Sequence, residues 1–166
     1  GWDTHRDGDA WVPTFTRARH LYTDAAIVAA RAPENRVAED AWADSIEPIF
    51  DAGLADIVNE DADLGDGLRL SPTPGHTPGH VSLWIESDHE RAVITGDLMH
   101  HPVQCSEPDW AEIGDDDEVG ARATRHEFLA RVADADILVI GTHFPNRPAG
   151  QVVSAGDAWE FVPTAG

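Results

Sequence analysis

The chain has 166 residues, of which 42% are hydrophobic, and this length and composition fit a globular protein with a sizeable core. Its formal net charge of −20 comes from 31 acidic residues against 11 basic ones, all arginine, so we expect neither nucleic acid nor an anionic membrane as a partner. No apolar run approaches the roughly 20 residues of a membrane span and no signal peptide is recognisable, so we expect a cytoplasmic protein.

Cysteine usage narrows the possible chemistry. The single cysteine, Cys105, excludes an intrachain disulfide bond and a zinc site built from several thiolates. Any metal ion must therefore be held by histidine, aspartate or glutamate side chains.

The first third of the sequence predicts a loop, a strand and two helices. Residues 1–17 are polar and predict a loop, and residues 19–23 predict a short strand. Asp24 is placed to cap a helix that runs to about residue 31. Residues 38–50 predict a second helix, because their apolar side chains recur at offsets that lie on one helix face.

Most of the remaining sequence predicts strands. They are residues 56–59, 68–71, 81–86, 91–95, 137–140, 152–153 and 159–162. The first two are predicted to flank a turn at Gly65-Asp66-Gly67, the next two to form a hairpin, and the last two to form a closing hairpin.

One further helix is predicted after the acidic run at residues 114–118. We interpret Asp115, Asp116 and Asp117 as a solvated helix N-terminus, since carboxylates favour the positive end of the helix dipole. A calcium loop is the alternative, and the absence of EF-hand spacing argues against it. The helix is predicted to end near residue 133 and to pack its apolar side chains in the core.

Strands that alternate with helices favour an α/β (α+β layered) fold, with helices packed outside the sheet. The sequence contains no linker and no low-complexity segment. We therefore interpret residues 1–166 as a single domain.

The stretch from Thr73 to His80 consists of two Thr-Pro-Gly-His tetrapeptides in tandem. Proline fixes one backbone angle and glycine reaches positive φ without strain, so this stretch predicts a rigid turn that holds an imidazole at a strand end. A turn with incidental histidines is the alternative.

Three candidate metal ligands follow glycine-marked turns next to predicted strands: His76, Asp97 and His143. Side chains at strand ends converge when the strands share a sheet. Imidazole and carboxylate ligands suit zinc, iron or manganese. A carboxylate can bridge two metal ions through its two oxygens, which makes Asp97 the natural bridging and catalytic residue.

Three motifs resemble the metallo-β-lactamase superfamily, in particular its branch of lactonase-like and methyl parathion hydrolase-like enzymes. They are Thr-Pro-Gly-His-Thr-Pro-Gly-His at 73–80, Ile-Thr-Gly-Asp-Leu-Met-His-His at 94–101 and Gly-Thr-His-Phe-Pro at 141–145. The resemblance implies that His76 binds a first divalent metal ion, His143 a second, and Asp97 both, with zinc as the expected metal and iron or manganese as alternatives. It also implies an αββα sandwich for the complete protein, of which this chain would be an incomplete part, rather more than the second half.

The family's His-x-His-x-Asp-His motif does not occur in these 166 residues. In this branch it lies just before a Gly-Trp pair like Gly1-Trp2. We therefore expect the chain to be a fragment that lacks the first strands and four metal ligands. With three ligands for two metals, we expect weak metal binding, negligible hydrolysis and marginal folding from this chain alone.

The resemblance implies a hydrolase in which a metal-bound hydroxide attacks an ester, lactone or phosphotriester. A non-catalytic remnant or binding module that kept the fold is the alternative, and a di-iron redox protein uses similar ligands. The substrate and the oligomeric state stay open.

Three further histidines lie close to the candidate ligands in the sequence. His80 is interpreted as a residue that supports the ligands rather than one that binds metal. His100 and His101 either line the substrate pocket or cap the loop that follows Asp97.

The acidic surface has two interpretations: adaptation to high salt, or the codon bias of a GC-rich genome. Under salt adaptation, Tm rises as KCl is added, because salt screens the self-repulsion of a chain with net charge −20. Thermal melting in increasing KCl separates the two, since an unchanged Tm contradicts salt adaptation.

Overall fold

The computed structural model describes residues 2–32 and 41–164. The chain divides into two compact units, residues 1–59 and residues 60–166. The beginning of the second predicted helix, residues 38–40, lies outside the described residues. Within them, no helix is both long enough and apolar enough to cross a membrane.

The first unit contains two pairs of short strands. Strands β1 (Thr4–Asp7) and β2 (Ala10–Pro13) form an antiparallel hairpin, and β3 (His20–Thr23) pairs in parallel with β4 (Ala55–Val58). The prediction of a loop over residues 1–17 is therefore wrong. The hairpin lacks a regular apolar alternation, and the Arg6 guanidinium, 5.2 Å from the Trp11 ring centroid, supplies one of its cross-strand contacts.

Helix α1 (Asp24–Ala30) is capped by Thr23, one residue before the predicted cap Asp24, because the Thr23 hydroxyl accepts a hydrogen bond from the backbone N–H of Ala26. The second helix is not regular: a π-helical turn, Trp42–Ile46, precedes α2 (Glu47–Asp51). Pro48 has no N–H to bond the carbonyl of Asp44, and the Thr4 hydroxyl donates to that carbonyl at 2.7 Å instead.

The second unit is built on one seven-stranded sheet. Its strands are β5 (Asp63–Gly65), β6 (Leu68–Pro72), β7 (Val81–Ser87), β8 (Glu90–Ile94), β9 (Leu138–Ile140), β10 (Ala149–Ala155) and β11 (Ala158–Pro163). Their order across the sheet is β11-β10-β9-β8-β7-β6-β5. Only β8 and β9 run parallel; the other neighbouring strands are antiparallel. The mixed sheet confirms the α/β assignment.

The two hairpins predicted at 81–95 and 152–162 are confirmed. The partner predicted for strand 68–71 is wrong: the turn at residues 65–67 joins β6 to β5, whereas residues 55–58 pair with β3. Strand β5 is a three-residue segment with a bulge, too short and too polar for its sequence to indicate a strand.

The parallel pair β8 and β9 requires a crossover, which a 3₁₀ turn (Gly96–Leu98) and helices α3 (Val103–Ser106) and α4 (Glu118–Val132) provide. Helix α4 buries Phe128, Leu129 and Val132 in a core that also contains Val93 and Val139 of the two parallel strands. This core confirms the predicted packing of α4 and fixes the helix on one face of the sheet.

The loop at residues 73–80, between β6 and β7, docks on the N-terminal end of α4. The backbone N–H groups of Asp116 and Asp117 donate to the carbonyls of His76 and Gly75 at 3.0 and 2.9 Å. The Thr124 hydroxyl donates to the carbonyl of Pro74 at 2.7 Å. The first turns of α4 and the two residues before it therefore hold three successive carbonyls of the loop.

Glycine is required at position 75. Its φ is +132°, and a Cβ atom built there would lie 2.3 Å from the Cα atom of Ala121 in α4. The loop backbone and the helix are consequently in direct contact, with no room for a side chain between them.

A buried polar network closes the other end of the loop. His80 Nε2 accepts the backbone N–H of Asp97 at 2.8 Å, so the ring proton is on Nδ1, which donates to the carbonyl of Thr73 at 2.9 Å. The Thr73 hydroxyl lies 3.2 Å from that of Ser82, which donates to the carbonyl of Thr95 at 2.9 Å. The network ties the loop to β7 and to the end of β8.

The close approach at Gly75 generates a stability prediction. Gly75→Ala is expected to lower the free energy of unfolding by roughly 3 kcal/mol, because backbone strain adds to overpacking against Ala121. Gly156→Ala is the matched control: its φ is +64° and no atom lies within 4 Å of the new Cβ, so about 1 kcal/mol of strain is expected. Equal decreases in the free energy of unfolding for the two variants, measured by urea unfolding, would contradict the close contact between the loop and the helix.

His80 generates a pH prediction. Burial lowers the pKa of His80, with smaller opposing effects from its hydrogen bond to Thr73 and from Asp97. Below a pH of about 6.5 the unfolded chain therefore binds a proton that the folded chain does not. Because of this proton, the free energy of unfolding decreases as the pH is lowered, by up to about 1.4 kcal/mol per pH unit. Urea unfolding between pH 8 and 5 should show a shallower pH dependence for His80→Gln, and an unchanged slope would contradict the assignment.

Candidate metal centre

The three predicted metal ligands lie at the same edge of the sheet. Asp97 follows β8 and His143 follows β9; because these strands are parallel, both residues lie beyond the carboxyl ends of the strands. His76 precedes β7, which is antiparallel to β8, so its loop reaches the same edge from the opposite direction. The mixed sheet thus brings together three residues that are far apart in sequence.

The Asp97 carboxylate lies between two imidazoles. Its Oδ1 atom is 3.0 Å from His143 Nε2, and its Oδ2 atom is 3.5 Å from His76 Nε2. Each carboxylate oxygen therefore faces a different histidine. The side chains of Asp97 and His143 are partly exposed, so the site is open to solvent and to small molecules.

His100 packs against both of the imidazoles that flank Asp97. Its ring stacks on His143 with centroids 4.5 Å apart and rings 19° from parallel, and its centroid lies 5.0 Å from that of His76. Burial lowers the pKa of His100, and the neighbouring His143 lowers it further. Its Nδ1 atom is buried and has no hydrogen-bond partner among the described residues.

The donor set fits a divalent cation. His76, Asp97 and His100 each offer one ligand atom, and these atoms all lie within 4.8 Å of one another. His143, the third predicted ligand, is not in this group and contacts it through Asp97 Oδ1 at 3.0 Å. Nitrogen and carboxylate oxygen are the donors that zinc, iron and manganese accept, and the unpartnered nitrogen of His100 is consistent with a binding site.

His76 is held from behind by a buried carboxylate that the sequence did not indicate. Its Nδ1 atom lies 3.2 Å from Asp115 Oδ1, and the Asp115 side chain is only 2% exposed. The sequence placed Asp115 in a solvated helix cap, but only Asp117 caps α4, by accepting the N–H of Gly120. A run of adjacent acidic residues does not reveal which of them turns inward.

Arg125 of α4 lies beneath Asp115. Its side chain is 1% exposed, and one terminal nitrogen is 3.6 Å from Asp115 Oδ2. The guanidinium also donates to the carbonyls of Leu98, Pro108 and Trp110 at 3.4, 2.7 and 2.9 Å. Burial lowers the pKa of Arg125, and the Asp115 carboxylate opposes this effect.

The other two histidines singled out in the sequence, His80 and His101, make ring contacts with the protein backbone. Both ring nitrogens of His80 are engaged within the protein, so this residue has no free ligand atom and instead holds the Asp97 backbone. His101 is exposed, and its Nδ1 atom accepts the backbone N–H of Val103 at the start of α3.

Solved structures of hydrolases share this fold. The hydrolase AbOPH of the beta lactamase superfamily has a TM-score of 0.84 and 23% identity over 93% of this chain and 57% of its own. AidC, a dizinc quorum-quenching lactonase, has a TM-score of 0.77 and 21% identity over 93% and 59%. A probable metal-dependent hydrolase from Staphylococcus aureus has a TM-score of 0.70 and 19% identity over 92% and 55%.

The chain thus spans 55–59% of the length of these three proteins, and at these identities the similarity establishes the fold. The sequence itself matches a family model over residues 10–143, which is most of the chain and contains His76, Asp97, His100 and His143. This match is to the metallo-beta-lactamase superfamily, and the chain belongs to that superfamily.

Proposed function

We propose that the protein containing this chain is a metal-dependent hydrolase of small esters, with a lactone as the first candidate substrate and a phosphotriester as the second. In this proposal His76 binds one divalent metal ion, His143 binds another, and Asp97 bridges the two. The observation that carries it is the position of the Asp97 carboxylate, whose oxygens face His143 at 3.0 Å and His76 at 3.5 Å.

Each proposed ligand is held by a different part of the fold, which supports the proposal. His76 is held by the loop docked on α4, Asp97 by the hydrogen bond from its N–H to His80, and His143 by the turn after β9. A bound metal pair would polarise the attacked carbonyl or phosphoryl oxygen and lower the pKa of a water molecule that becomes the nucleophile. The chain therefore needs no serine or cysteine nucleophile, and the buried Cys105, whose pKa burial raises to about 12, is unsuited to that role.

His100 is proposed to line the substrate pocket. Its ring is fixed by stacking on His143, and its unpartnered Nδ1 atom is available to a ligand in the site. His101 is exposed and engaged with the backbone of α3, so we propose at most a contact with the outer part of a substrate. Neither residue discriminates between a carbonyl and a phosphoryl centre.

The preference for a lactone is supported by AidC, which is described as a dizinc quorum-quenching lactonase and was solved with an acyl-homoserine product. Its 21% identity to this chain establishes a shared fold, so the lactone is the first substrate to test. Zinc is proposed as the metal because the donor set is nitrogen and carboxylate oxygen, and iron or manganese would fit the same donors.

Loss of a ligand is expected to remove metal binding. Asp97→Asn and His143→Ala should each weaken zinc affinity by more than the roughly 10–100-fold effect of losing an outer partner of a ligand. The measurements are zinc titration of this chain and, for the whole protein, hydrolysis of N-hexanoyl homoserine lactone and of a p-nitrophenyl phosphotriester.

The matched control is His89→Asn. His89 lies at the exposed turn between β7 and β8 with φ of 72°, a conformation that asparagine tolerates. This variant should retain wild-type zinc affinity and hydrolysis. Zinc binding that is equally strong in Asp97→Asn would contradict the ligand assignment. Zinc binding without hydrolysis of either substrate class would instead favour a non-catalytic protein that kept the fold.

A further inference from the structure

A buried carboxylate and a buried guanidinium lie behind the candidate metal centre. We propose that Asp115, itself held by Arg125, is a positioning residue that fixes His76 with its proton on Nδ1, so that the Nε2 lone pair faces Asp97 and a metal ion. The tautomer follows from contacts within the chain. Its consequence for metal binding rests on the proposed function.

The two oxygens of Asp115 have different partners. Oδ1 lies 3.2 Å from His76 Nδ1. Oδ2 accepts the backbone N–H of Glu112 at 3.2 Å and lies 3.6 Å from a terminal nitrogen of Arg125. Because donors surround Oδ2, a proton on that oxygen would have no acceptor. The Arg125 guanidinium also favours the ionised carboxylate, which has no proton to donate from either oxygen, so Oδ1 accepts and His76 Nδ1 donates.

Arg125 fixes the position of that carboxylate. Its other nitrogens donate to the carbonyls of Leu98, Pro108 and Trp110, so the guanidinium is held on several sides within the protein interior. Leu98 directly follows Asp97. Arg125 therefore contacts the surroundings of both Asp97 and His76. It bonds the carbonyl of Leu98, the residue after Asp97, and it reaches His76 through Asp115.

The same turn also holds the His76 backbone. Asp116 donates its N–H to the carbonyl of His76 at 3.0 Å, while its neighbour Asp115 contacts the ring. Ring and backbone are thus fixed from one side. The opposite ring nitrogen, Nε2, is left facing Asp97 Oδ2 at 3.5 Å. A carboxylate behind an imidazole ligand orients the ring and increases its basicity toward metal.

The substitution Asp115→Asn separates this role from simple packing. The amide has nearly the same shape, but only one of its two ends accepts hydrogen bonds. Its oxygen is expected to take the Oδ2 position, where Glu112 and Arg125 present donors. Its NH₂ group then faces His76 Nδ1, which must accept, and the ring proton moves to Nε2.

The experiment is ¹⁵N NMR of the histidine side chains of the full chain at a pH of about 8, above the ordinary imidazole pKa of about 6.5. His76 should be protonated on Nδ1 in the wild type and on Nε2 in Asp115→Asn. Zinc affinity should fall roughly 10–100-fold in the variant. A purely structural role would change stability and leave the tautomer unaltered.

The matched control is Asp109→Asn. Asp109 accepts from His126 Nε2 at 3.0 Å, but its side chain is 68% exposed and far less constrained. This variant should leave the His76 signals and zinc affinity unchanged.

Three results would overturn the proposal in whole or in part. An Nε2-protonated His76 in the wild type refutes it even if Asp115→Asn does not fold. An unchanged His76 tautomer in a folded Asp115→Asn refutes the positioning role. A changed tautomer with unchanged zinc affinity refutes the link to the metal. If the whole protein that contains this chain binds no zinc, the proposed function fails, while the tautomer comparison still decides the role of Asp115.

Discussion

The contact between the loop at residues 73–80 and the N-terminal end of α4 is the constraint on which the candidate site depends. Three successive loop carbonyls accept hydrogen bonds from Asp116, Asp117 and Thr124, and Gly75 lies directly against the helix backbone. Helix α4 is in turn fixed by the core it forms with the parallel strands β8 and β9. The ends of those strands carry Asp97 and His143, so one packing arrangement places all three predicted ligands.

The buried pair of Arg125 and Asp115 is better explained by the positions it fixes than by a contribution to the free energy of unfolding. A buried ion pair is often no more stabilising than apolar residues of similar volume, because desolvation offsets the attraction between the charges. Removing one partner, in contrast, leaves an uncompensated buried charge and costs about 3–5 kcal/mol. Such a pair is therefore difficult to move once formed. Here the pair lies behind His76 and beside the segment that carries Asp97, so it can hold both residues in place at the candidate site.

Local sequence signals account for what could be predicted. Alternating apolar residues indicated the β7–β8 hairpin, and glycine-marked turns after apolar strands indicated Asp97 and His143. Features that depend on distant partners could not be predicted. The Asp115–His76 contact joins positions 39 residues apart, and the Thr4 hydroxyl bonds a carbonyl of the π-helical turn at Trp42–Ile46, 40 positions away. No local pattern distinguishes an inward carboxylate from its solvated neighbours.

The tandem repeat shows how identical tetrapeptides acquire different roles. His76 and His80 follow the same three residues, yet their surroundings differ completely. His80 directly precedes β7, beside Thr73 and the N–H of Asp97, which occupy both of its ring nitrogens. His76 lies within the loop, where the N–H of Asp116, just before α4, holds its backbone and Asp115 holds only one ring nitrogen. A free Nε2 atom therefore exists at the first repeat and not at the second. The motif supplies the histidines, and the neighbouring strand and helix decide which of them keeps a ring nitrogen facing the candidate site.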